Sequence, residues 1–127
     1  MNNQVINTNC APKAIGPYSQ AIKSGNLMFI SGQIPVDPET NKVVEGNIRQ
    51  QTERCMKNIL AILNKCGLNF QNIVKTTIYV SDMSQFDDVN EVYGSFFDGY
   101  YPARACVEVS NLPKNVLVEI EAVVSCN

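Results

Sequence analysis

The chain has 127 residues, with ten Lys or Arg, twelve Asp or Glu and no His, for a net charge of −2. That length suits a single domain with its own core, and the slightly acidic balance, without any cluster of Lys and Arg, argues against a surface that tracks phosphate backbones. The missing histidine removes the usual general base and any Cys/His zinc site. Chemistry in this chain therefore rests on carboxylate, phenol, thiol and backbone groups.

Five cysteines, Cys10, Cys55, Cys66, Cys106 and Cys126, are spread widely and form no Cys-x-x-Cys pair. Free thiols in a reducing compartment are the simplest reading. The first residues lack the charged and apolar regions of a secretory signal, and no apolar run reaches membrane-spanning length. The expectation is a soluble, cytoplasmic protein with no metal or cofactor. No repeat, linker or low-complexity stretch divides residues 1–127, so a single domain is expected.

In chain order, Ala21-Ile22-Lys23 and Leu27-Met28-Phe29-Ile30 flank Ser24-Gly25-Asn26, which predicts a hairpin between Tyr18 and Ile34. Gly32 interrupts its second strand, as a bulge or a close backbone approach would require. Asp37-Pro38-Glu39-Thr40-Asn41 predicts a turn before a short Val43-Val44 run. Ile48, Cys55, Met56, Ile59, Leu60, Leu63 and Cys66 recur at helical spacing, with Asn47 to cap the start and Gly67 to end the helix. Cys55 and Cys66 then both face the core. Ile73 to Val80 predicts a strand. Ser81 or Asp82 caps a second helix that aligns Phe86, Val89, Tyr93 and Phe97, with Asn90 on or near that buried stripe. Two more strands follow, near 103–109 and 116–124. The helical crossover from Val80 to Ala103 makes the flanking strands parallel neighbours. The order predicts an α+β fold with both helices on one sheet face.

Alternation sorts Ala105, Val107 and Val109 from Arg104, Cys106 and Glu108, and Val118, Ile120 and Ala122 from Leu117, Glu119, Glu121 and Val123. The expectation groups the apolar sets against the helices. Arg104, Cys106, Glu119 and Glu121 then fall on a second face, of the kind that packs on another subunit and leaves clefts. Arg104 suits a carboxylate ligand, and an exposed ion pair with Glu119 or Glu121 explains it equally well. Cys106 has no histidine to deprotonate it, so packing or a backbone contact suits it better than nucleophilic attack. Tyr18 after Gly16-Pro17 suits amphipathic packing more than a ligand contact, the Ser31-Gly32 pair suits a ligand-contacting turn but is frequent in ordinary loops, and Asn90 suits strand capping or a ligand contact alike.

Five segments in order carry a resemblance: Ile15-Gly16-Pro17-Tyr18-Ser19-Gln20-Ala21; Ser31-Gly32-Gln33-Ile34-Pro35; Asn90-Glu91-Val92-Tyr93 with Phe96-Phe97; Pro102 to Val109; and Leu112-Pro113-Lys114 with Val118 to Ala122. Together they resemble the RidA (YjgF) family. The resemblance implies a chorismate-mutase-like α+β sheet assembled as a homotrimer around a central β-barrel, with clefts between subunits. The last two strands then need not be neighbours. It also implies a 2-iminobutanoate/2-iminopropanoate deaminase, which hydrolyses reactive imines and enamines such as 2-aminoacrylate to 2-keto acids and ammonia. Carried over by matching position, Arg104 binds the substrate carboxylate and Glu119 orients water with the Cys106 backbone. Tyr18, Ser31, Gly32 and Asn90 line the cleft. Burial of Leu117 and Val123 in the subunit interface is part of the same expectation.

Other functions stay open on sequence grounds. A metabolite-binding regulator would keep Arg104 without useful turnover, and Glu119 favours the enzyme over it. Ribonuclease or translation-inhibitor activity occurs in the family, but acidity and the absent histidine argue against nucleic acid as a partner. On a holdase-like chaperone role the sequence is silent.

Overall fold

The computed structural model describes residues 3–127. Among them a six-stranded sheet runs in the order β1 (Asn3–Ile6), β2 (Ala21–Ser24), β3 (Leu27–Gln33), β8 (Val118–Ser125), β6 (Ile73–Val80) and β7 (Ala103–Glu108). A two-stranded ribbon, β4 (Val36–Asp37) with β5 (Lys42–Val43), forms the predicted turn beyond β3. Helices α1 (Ile48–Lys65) and α2 (Phe86–Gly94) cover one face of the sheet. Among the described residues no helix is long and apolar enough to cross a membrane.

Local chemistry sets the bounds of α1. The Asn47 side chain accepts from the Arg49 N–H at 2.9 Å, while Gln50 accepts from the Asn47 N–H at 2.9 Å, a reciprocal capping box. Gly67 takes φ +71°, and the Leu68 N–H bonds back to the Leu63 carbonyl at 2.9 Å. Cys55 is fully buried as expected, whereas Cys66 is only partly so. Two buried amides then tie α1 to the neighbourhood of the site. Asn58 donates to the carbonyls of Ile34 and Val36, and Gln51 accepts from the Leu117 N–H.

The strand β1 was not anticipated: Asn3-Gln4-Val5-Ile6 buries only Ile6, too little alternation to mark a strand. The parallel pairing of β6 with β7 agrees with the crossover argument. β8 pairs with β3 and β6 and never with β7, as the resemblance implied.

The expected grouping of faces needs correction. Ile78 pairs with Cys106 on one side and Ile120 on the other, and paired residues project from the same face. Arg104, Cys106 and Glu108 therefore share the helix-covered face with Ile78, Ile120 and Ala122. Ala105 and Val107 lie on the open face with Tyr79, Glu119 and Glu121. Alternation within a strand gives two sets but cannot say which faces the helices. On β7 both sets are largely exposed, because this edge strand runs past the covered core. Leu117 also departs from its expected place, packing partly against the core rather than on the open face. Val123 does lie on the open face, opposite Phe29.

Candidate functional site

The bulge predicted at Gly32 is present. Ile30 pairs with Ala122 and Gln33 with Ile120, so Ser31 and Gly32 together oppose Glu121. Buried Gln33 donates to the Ser31 carbonyl at 3.1 Å and steadies the bulge. Gly32 thereby comes against Glu119: a Cβ there would overlap the carboxylate and sit 2.8 Å from its Cδ. Glycine is needed here for close approach, since its φ is ordinary.

Glu119 lies in a cavity of about 310 Å³ with Tyr18, Gln20, Gly32, Ile34 and Pro113 among its walls. Its carboxylate has no hydrogen-bond or ion-pair partner among the described residues. Burial, and secondarily the nearby Glu121 charge, push its pKa above the usual 4.5. Glu121 is instead engaged by the Tyr79 hydroxyl, which donates at 3.1 Å.

The wall carrying Tyr18 is pinned by Gln20, a residue that no motif singles out as part of a site. Buried Gln20 accepts from the Thr8 N–H at 2.8 Å and donates to the carbonyls of Thr8, Ala11 and Pro12. A glutamine beside inward-facing Ala21 was the available signal, because a buried amide demands several partners. Ser31 plays a similar part. Its hydroxyl donates to the Ser19 carbonyl at 2.6 Å and its N–H to the Gln20 carbonyl at 2.9 Å, which holds the Tyr18 loop to the bulge.

Arg104 lies elsewhere. Its Nη1 donates to Asn90 Oδ1 at 2.6 Å, and the guanidinium stands 5.2 Å from the Phe86 ring centroid and 5.4 Å from that of Tyr93. Expected ion pairs with Glu119 or Glu121 are absent, because those carboxylates project from the opposite face. Asn90 is exposed on α2 rather than within its buried stripe, turned to the sheet edge where Arg104 emerges. Cys106 is half-buried beside Phe86, and burial raises its thiol pKa against a smaller opposing effect of Arg104. Glu108, on the same face, accepts from the Met83 N–H at 2.7 Å and anchors the turn before α2.

The seven candidate residues thus divide into two groups. Tyr18, Gly32 and Glu119 line one cavity, with Ser31 tying its Tyr18 wall to the bulge rather than lining it; Asn90, Arg104 and Cys106 lie along the far edge of the sheet. Two strand spacings, roughly 10 Å, and the thickness of the sheet separate Glu119 from Arg104.

The sequence profile of the family described as Endoribonuclease L-PSP matches residues 8–126. The chain belongs to the RidA (YjgF) family. Among RidA relatives, a RutC family protein of Pyrococcus abyssi is 53% identical over 123 residues, 97% of each chain. The crystal structure of RidA from the Antarctic bacterium Psychrobacter sp. superposes with a TM-score of 0.92 at 43% identity, over 96% of this chain and 98% of that one. E. coli TdcF with bound serine superposes with a TM-score of 0.92 at 42% identity, again over 96% and 98%. The mixed α+β architecture described above is thus the RidA fold.

Proposed function

We propose that the chain is a 2-imino acid deaminase whose cleft is completed by two copies in a homotrimer. Carrying this reading is the division of the site: among the described residues, an unpaired carboxylate in one half and an arginine without an ion-pair partner in the other, on opposite faces of one sheet. No small imino acid can touch both within one chain. A ring of three copies, each setting its Arg104 edge against the Glu119 cavity of the next, would join the halves. The open sheet face supports such packing, since Val5, Leu27, Phe29 and Val107 are each at least 41% exposed there and form an apolar surface. Closed on itself around a threefold axis, this face would become the central barrel of the family.

In the joined cleft Arg104 holds the substrate carboxylate as a fork, with the Asn90 and Cys106 edge on one side and Tyr18 and Gly32 on the other. Glu119 takes a proton from water as the oxygen adds to the imine carbon. The resulting carbinolamine receives that proton on nitrogen; Glu119 then relays the hydroxyl proton to the same nitrogen as the C=O bond forms and the C–N bond breaks, releasing ammonia and returning the carboxylate. An enamine such as 2-aminoacrylate first takes a proton at its terminal carbon. Imines are electrophilic already, so positioning and one shuttling carboxylate suffice. A carboxylate with a raised pKa suits that shuttle, because its ionised form is a stronger base toward water and its loaded form keeps the proton until nitrogen takes it. That a relative is crystallised with serine agrees with a cleft for small amino-acid-like carboxylates.

The test couples threonine dehydratase, which releases 2-iminobutanoate, to this protein. Keto acid formation should accelerate with wild type. Arg104→Ala should lose both rate and calorimetric affinity for 2-ketobutyrate, while Glu119→Gln should keep affinity and lose about a hundredfold or more in rate. Unchanged turnover by Glu119→Gln would end the water-orienting role.

A further inference from the structure

Arg104 is an exposed edge-strand residue, yet its guanidinium is held on three sides by one helix. Phe86, Asn90 and Tyr93 are spaced i, i+4 and i+7 on α2 and so project from one face. All three meet Arg104: two rings at 5.2 and 5.4 Å and an amide oxygen at 2.6 Å. The Tyr93 ring is itself fixed, being buried with its hydroxyl 2.7 Å from Thr76 Oγ1, and Thr76 is the β6 residue paired with Arg104.

Every element of this cradle is uncharged. Asp88 and Glu91, the acids flanking Asn90 on α2, are bound to Arg49 at 3.0 and 2.8 Å. A carboxylate in place of the Asn90 amide would neutralise Arg104; the amide accepts one Nη1 proton and leaves the charge uncompensated. Among the described residues nothing bonds to the Nε–H and Nη2 edge, which is the edge a carboxylate takes in a side-on bidentate pair.

We infer that Phe86 and Tyr93 are positioning residues that, with Asn90, form an uncharged cradle presenting the Nε/Nη2 edge of Arg104 to the substrate carboxylate. The inference rests on the reading of Arg104 as the carboxylate binder. It does not require that the bound imine be hydrolysed.

The test uses the full chain. Phe86→Met keeps the volume and removes the ring, so the dissociation constant for 2-ketobutyrate and the KM for the imine should rise about five- to tenfold, with kcat within about twofold. Phe86→Tyr should restore both. A merely structural loss would instead lower the active fraction, depressing kcat at unchanged KM. Asn90→Asp, nearly isosteric, should weaken 2-ketobutyrate binding more than Phe86→Met does. In the unaltered protein, ring currents should displace the Arg104 δ-proton resonances upfield of free arginine, a readout independent of any variant's folding. Wild-type affinity in Phe86→Met, or Arg104 δ protons at free-arginine positions, would overturn the cradle. Keto acid binding without imine hydrolysis by wild type would remove the deaminase reading and leave the cradle standing. Absence of keto acid binding by wild type would overturn both.

Discussion

Gly32 and Glu119 are fitted to one another so closely that a single methyl group on Gly32 would occupy the space of the carboxylate. The bulge that brings them together is steadied internally by Gln33, while Ser31 and Gln20 bond to the segment that carries Tyr18. Gly32→Ala is predicted to displace the Glu119 side chain, which is flexible at its end, without disturbing the strand. Imine hydrolysis should fall at least about tenfold, while the melting temperature moves by only a few degrees. Turnover at the wild-type rate would show that the carboxylate has no fixed place in the chemistry.

The raised pKa of Glu119 has a defined sign in stability. Burial and Glu121 disfavour its charged form in the folded state, so the folded chain binds more protons than the unfolded chain between the usual carboxylate pKa and the raised one. Stability from this group is full below the ordinary value and is lost as pH rises through the raised value. Glu119→Gln should therefore melt higher than wild type at pH 7, and the gap should close as pH falls toward 4. In the active protein, the acid limb of kcat/KM should lie above the usual 4.5 of a glutamate and disappear in the variant. A melting gap that stays constant with pH would contradict the assignment.

Cys106 should prove dispensable as a thiol. Its burial holds the proton on sulfur, and no histidine exists in the chain to remove it. Cys106→Ala and Cys106→Ser are expected to keep activity within about tenfold of wild type. A thousandfold loss with the assembly intact would favour a thiolate mechanism instead.

Much of this fold was legible in the sequence because it is encoded locally. The capping pair Asn47 and Gln50, the C-terminal Gly67, the Gly25 turn and the β-branched run from Ile73 to Val80 each settle their own element. Gly32 was legible as a close approach, although not what approaches it. Sidedness was illegible at β7. Its alternating residues are polar on one face and apolar on the other, yet the polar set faces α2, whose Phe86 and Tyr93 receive the Arg104 guanidinium. Only pairing with Ile78 and Ile120 across β6 fixes that orientation, and pairing is not a property of any single segment. The partner of Asn90 was illegible for the same reason: it comes from another strand.

The claim on which the rest depends is that one catalytic cleft draws Arg104 from one copy and Glu119 from another. Co-expression of Arg104→Ala with Glu119→Gln, each separately tagged so that mixed assemblies can be purified, tests it directly. In a randomly mixed ring of three, every mixed assembly holds one cleft with both residues native, so about a quarter of all clefts should be wild type in composition. The account predicts imine hydrolysis near a quarter of the wild-type rate from the unfractionated mixture, against almost none from either variant alone. Verified mixed assemblies no more active than the separate variants would contradict it.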